Sequence, residues 1–211
     1  PLSLELLMAF IGYFLAAGEA EVAVVCALMF HCNLRTGDFY LIETQHIVFS
    51  RCGNRASLSL PITKSLNKRL GGCETVEVYD PGIVARLASL VKDKLPGDKL
   101  FGMSMSFFRI MLLRAASFFG LHDLQIQAYS LRRGGATHFF RMSGSLDRTV
   151  LRGRWLSAKS ARTYCRLSCA CESFQKDGRQ KVLTSAEPGR DAWKPSWLYV
   201  FIASLRACFP Q

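Results

Sequence analysis

The chain has 211 residues, half of them hydrophobic, and a formal net charge of +11. It is too apolar to be disordered, and long enough for one sizeable core or a main domain with a small appendage. A positive excess of this size points to a polyanionic partner, nucleic acid or an acidic membrane surface.

Leu4 to Ala17 and Glu21 to Cys32 have helix-length apolar content and meet at Gly18. The second is apolar nearly all round, the mark of a core helix. It runs into Asn33-Leu34-Arg35-Thr36-Gly37-Asp38, read as a turn. Gln45 to Phe49 and Ala56 to Leu60 read as strands of a hairpin around Cys52-Gly53-Asn54. Glu74 to Tyr79 alternates in period two and reads as a third strand. A basic loop, Thr63 to Gly72 with Lys64, Lys68 and Arg69, separates the last two. Helices follow over Ile83 to Lys94 and Met105 to Phe119. Ser130 is expected to cap a helix through Phe140, Asp147 to open another reaching Arg152, and Ser157 to cap one carrying Tyr164. Beyond Cys171 the chain is polar up to a short apolar segment, Trp197 to Ala207. The predicted organisation is a mainly α domain with a small three-stranded antiparallel sheet over 1–171. A polar linker and a short C-terminal helix occupy 172–211. The chain begins at Pro1 rather than Met and reads as part of a longer product.

The basic residues are not spread evenly. Between Ser130 and Arg166 stand nine of them against one acid, Asp147, a net +8 in 37 residues. Eight of the nine are arginines, whose forked guanidinium matches phosphate oxygens better than an ammonium does. A solvated basic surface is the bland reading of such a run. Arg133, Arg152, Arg154, Lys159 and Arg162 are the expected DNA contacts. A membrane-binding reading is weak, because the charges do not fall on one amphipathic helix. No apolar run is long enough to span a bilayer. The eight cysteines lack CxxC pairing or zinc-site spacing, so no metal and no cofactor is expected, and reduced thiols imply an intracellular setting.

Breaking a phosphodiester without metal requires a nucleophile, cations for the developing negative charge, and an acid for the leaving alkoxide. Candidates for each occur in order: Arg35, Lys64, Tyr129-Ser130-Leu131-Arg132-Arg133-Gly134-Gly135-Ala136-Thr137, Gly153-Arg154-Trp155, and Tyr164 nine residues after the tryptophan. Their order and spacing resemble the catalytic domain of the tyrosine recombinases, the phage-integrase family, over Leu4 to Leu167. Leu34 to Asp38 is similar to the family's first arginine box, and Leu60-Pro61-Ile62-Thr63-Lys64 to its lysine turn. Ser130-Leu131-Arg132 with Ala136-Thr137 is similar to the second arginine box. Trp155 falls at the His/Trp position and Tyr164 at the nucleophile. The second box is similar in form to recombinases of eukaryotic mobile elements.

The resemblance implies that Arg35 and Arg132 hold the non-bridging oxygens of the scissile phosphate. Lys64 would protonate the leaving 5′ oxygen, with Lys68 an alternative in the same loop. Trp155 would pack beside the phosphate or within the core. Tyr164 would form a 3′-phosphotyrosyl bond, and Asp38 would orient Arg35. That chemistry is DNA cleavage and rejoining in recombination or integration, by a protein that self-associates on DNA, in the nucleus if the source is eukaryotic. One position departs: the residue three before the second arginine is usually His or Lys in that family and is Tyr129 here. A phenol with a pKa of about 10 is a poor general base at neutral pH. Two other readings stay open, a non-catalytic DNA-binding relative and a type IB topoisomerase.

Overall fold

The computed structural model describes residues 1–60 and 74–164. The basic loop with Lys64, the polar linker and the Trp197 to Ala207 segment lie outside the described residues. Among the described residues, eight α-helices and three strands follow in the order α1 (Leu4–Ala16), α2 (Ala20–His31), α3 (Thr36–Leu41), β1 (Ile47–Phe49), β2 (Ala56–Leu60), β3 (Glu74–Val78), α4 (Pro81–Val91), α5 (Met105–Phe118), α6 (Ala128–Ser143), α7 (Leu146–Gly153) and α8, over 158–164. The sheet is antiparallel in the order β1-β2-β3, with Leu58 paired to Ile47 on one side and to Val76 on the other.

The core forms around α2. Every residue from Val22 to Phe30 is buried, so no face of this helix meets solvent. α1, α4 and α6 pack around it, and Ala56, Leu58, Leu60, Val76 and Val78 close the core from the sheet. The close approach of α6 to α2 and to the N-terminal segment is set by two glycines. A Cβ on Gly135 would run into the Phe30 carbonyl oxygen, and one on Gly134 into the Leu2 carbonyl oxygen. Because the obstacles are backbone atoms, no side-chain rotation relieves them.

Local chemistry explains where the element boundaries differ from expectation. α6 starts at Ala128 with Gln127 as its cap; Ser130 sits one turn inside, and its hydroxyl accepts from the Gln127 N–H at 3.1 Å. The same residue type thus closes a reciprocal cap from within the first turn instead of opening the helix. Ser145, not Asp147, caps α7, accepting from the Arg148 N–H at 3.3 Å. β1 is shorter than expected because Thr44–His46 forms a 3-10 turn, in which the Glu43 N–H donates to His46 Nδ1 at 3.0 Å. The segment read as a turn after α2 runs instead into the six-residue helix α3, capped at Arg35. Ser157 does cap α8, accepting from the Ser160 N–H at 3.4 Å.

Gly135→Ala should destabilise the fold by about 3 kcal/mol, since α6 must withdraw from α2 along its buried length. The shift of the urea midpoint measures this; a loss under about 1 kcal/mol would mean that the helices separate easily.

Candidate active site

The chain leaves α2 through Asn33, which is fully buried and left-handed, with φ of 51°. Asparagine tolerates that conformation better than most residues. The turn aims the Asn33 carbonyl inward, where it accepts from Arg132 Nη1 and, at 3.1 Å, from Arg154 Nη2. Arg35 follows as the cap of α3. Its backbone N–H donates to Asp38 Oδ2 at 2.8 Å, and its Nη2 donates to the Arg154 carbonyl at 3.3 Å. Asp38 therefore fixes Arg35 through the main chain and neutralises a different guanidinium, that of Arg154, at 2.8 Å.

Arg132 projects from α6 and is 2% exposed. Besides Asn33, it donates from Nη2 to the Gly153 carbonyl at 2.6 Å. Its guanidinium lies over the Trp155 ring, 5.2 Å from the centroid. Burial lowers its pKa to about 10, with the neighbouring guanidiniums of Arg35 and Arg154 adding to the effect, so it remains charged at neutral pH. A Cβ on Gly153 would run into the Trp155 ring. The glycine thus lets the indole fold back beneath Arg132, while Trp155 still lines the cleft.

Tyr164 on α8 and Tyr129 on α6 complete the site. The Tyr129 hydroxyl donates to the Tyr164 hydroxyl. Their rings are 5.6 Å apart, and the Tyr164 ring is 4.7 Å from that of Trp155. Burial, then the hydrogen bond to Tyr164, pushes the Tyr129 phenol up to about 12. Both phenols, Arg35, Arg132 and Trp155 line one cleft of about 320 Å³, whose apolar wall includes Met29 and Leu34. Residues far apart in sequence are thereby gathered on one concavity.

The other basic residues divide into two groups. Lys159 and Arg162 are exposed on α8, and Arg133 is half-buried on α6. Arg152 and Arg154, expected on the DNA-facing surface, have their guanidiniums engaged inside the protein. Arg152 Nε donates to the His31 carbonyl at 3.0 Å, and its guanidinium covers the Phe139 ring at 4.7 Å. Arg154 meets Asp38 and Glu74. Lys64 lies outside the described residues. Asn33 and Glu74 were not singled out in the sequence. An asparagine at the end of an apolar helix is a weak left-handed signal, and nothing in the strand pattern of Glu74 marks it.

Among the described residues no helix is long and apolar enough to cross a membrane. No protein-family model and no curated protein matches this sequence. Solved structures do. The XerH site-specific recombinase in a pre-cleavage complex with its difH substrate superposes with a TM-score of 0.64 at 15% identity, over 77% of this chain and 49% of that one. XerH in a post-cleavage complex with palindromic difH gives 0.63 at 14%, over 81% and 52%. The XerA recombinase gives 0.60 at 14%, over 90% and 65%. This chain thus spans between about half and two thirds of the length of those recombinases. Mostly helical, with one small antiparallel sheet and the same chain path as these enzymes, it has the tyrosine-recombinase fold.

Proposed function

We propose that this chain is the catalytic part of a DNA strand-transfer enzyme, cutting and rejoining DNA through a 3′-phosphotyrosyl bond at Tyr164. The observation that carries this reading is the meeting of two guanidiniums, an indole and two phenols in one cleft. Electrostatics adds to it. Among the described residues, Arg35, Arg132 and Arg154 form a cluster whose ion pairs are with Asp38 and Glu74 alone. Three positive charges against two negative ones leave an excess in a partly desolvated site, which a phosphate diester would neutralise.

In this reading Arg35 and Arg132 hold the non-bridging oxygens and gain strength as charge develops at phosphorus. The Tyr164 oxygen attacks phosphorus, the bond to the 5′ oxygen breaks, and Lys64 gives that oxygen a proton. The phosphotyrosyl bond conserves the phosphodiester's energy, so rejoining by the reverse attack needs no nucleotide cofactor. Tyr129 is a donor and not a base. With its own proton held to about pH 12, it stabilises the developing Tyr164 phenolate by a hydrogen bond, and solvent in the cleft receives the Tyr164 proton.

The second reading, a DNA-binding relative that no longer cuts, is favoured by the same residue, since no His or Lys stands where a base would act. Covalent capture on a nicked DNA duplex separates the two. The parent chain should become attached, and Tyr164→Phe should lose attachment while its DNA affinity stays nearly unchanged. Arg132→Lys should slow single-turnover cleavage by about 100-fold or more, because a point charge replaces a bidentate fork. DNA binding without attachment in the parent would favour the non-cutting reading. Attachment persisting in Tyr164→Phe would mean that another nucleophile acts.

Tyr129 gives a separate pH test. The difference in tyrosinate absorbance between the parent and Tyr129→Phe should reveal a phenol ionising near pH 12; ionisation near 10 would remove the argument that Tyr129 keeps its proton. Because the folded value lies above the ordinary one, this group's contribution to stability is complete below pH 10 and falls away between about 10 and 12. Tyr129→His should speed cleavage and introduce an inflection near pH 6.5. An unchanged rate would show that deprotonation of Tyr164 is not limiting.

A further inference from the structure

Arg154 does not line the cleft. Its side chain is 9% exposed, with Nη2 2.8 Å from Asp38 Oδ2 and Nε 3.4 Å from Glu74 Oε2. The residue is left-handed, at φ of 54°, without being glycine, and this conformation turns its carbonyl toward Arg35 Nη2. The two carboxylate partners of Arg154 are also partners of Arg35. Asp38 Oδ2 accepts the Arg35 N–H, and Glu74 Oε2 lies 3.6 Å from Arg35 Nη1. Glu74 opens β3 opposite Leu60, so it stands where the chain returns from the segment bearing Lys64.

We propose that Arg154 is a positioning residue that sets the charge balance of the anion cleft: by occupying Asp38 and Glu74, it leaves Arg35 and Arg132 available to a phosphate it does not itself touch. This rests on the functional reading above. With Arg154 present, three guanidiniums face two carboxylates, and the cleft keeps one unmatched positive charge. Without it, two face two. Asp38 and Glu74 would then become internal rivals of the phosphate for the same cations. In a partly buried site the effective dielectric is low enough for one uncompensated charge to act over several ångströms. The competing account makes Arg154 one more direct phosphate contact in the basic stretch. Its burial and its two carboxylate partners argue against that, and the two accounts differ in what should rescue its loss.

The test uses two probes on the full chain. Inorganic phosphate is titrated by its effect on the thermal midpoint, and a fluorescent DNA duplex by anisotropy. Arg154→Met should weaken both by about tenfold, and Glu74→Gln alone should tighten both by a similar factor. Arg154→Met combined with Glu74→Gln should return to within about threefold of the parent, since two guanidiniums would again face one carboxylate. Asp93→Asn, which removes an exposed acid, should give no such rescue in the Arg154→Met background. A double variant as weak as Arg154→Met, rescue by Asp93→Asn, or no loss in Arg154→Met would overturn the proposal. If Arg154→Met does not fold, Glu74→Gln alone decides, and absence of a gain overturns it. A parent chain that binds no phosphate also overturns it. A parent that binds phosphate, with the expected pattern of variants, but no DNA would leave the charge balance standing and remove the functional reading.

Discussion

A guanidinium buried in protein cannot shed its charge, so its surroundings must supply oxygen atoms at the right places. Arg132 imposes that demand here, and much of the local architecture answers it. The Asn33 carbonyl is turned inward by a left-handed backbone, and the Gly153 carbonyl is delivered by the end of α7. α6 comes close enough to α2 for these contacts because Gly134 and Gly135 present no side chain. The indole of Trp155 covers the guanidinium from the side left open. Moving any of these elements would leave a buried cation short of acceptors, which is far costlier than losing an ordinary hydrogen bond.

The helical regions and the three strands were legible in the sequence because their periodicity is strong. Arg35, Tyr129, Arg132, Trp155 and Tyr164, picked out together by the resemblance in their order and spacing, line one cleft. What stayed hidden is instructive. Helix α3 carries too few residues for a period to register, and its stability comes from Asp38 reaching back to Arg35. The inward turn of Arg152 and Arg154 was invisible because a run of arginines reads alike whether it faces solvent or carbonyls. Only the three-dimensional neighbours, the His31 carbonyl for one and Asp38 with Glu74 for the other, distinguish them.

The paired phenols give the cleft a chemistry set by the residue at position 129. A histidine at position 129 would offer a proton acceptor near neutrality. Tyrosine offers only a donor over that range, and its ring packs against that of Tyr164. Tyr164 is therefore oriented by aromatic contact on two sides, Trp155 and Tyr129, while the cations are oriented by carbonyls and carboxylates. Orientation and charge are handled by separate sets of atoms.

The glycine contacts also bear on inheritance. Positions 134 and 135 face backbone oxygens, and 153 faces an indole held in place by Arg132. A methyl group at the first two meets backbone that no side-chain rotation clears, whereas one at 153 meets the side chain of Trp155. In descendants of this chain the residue at 153 is thus tied to whatever stands at 155, while a side chain at 134 or 135 is admitted only by shifting backbone. The exposed face of α5, with Ile110 and Leu113 open to solvent, carries no such restriction and would diverge first.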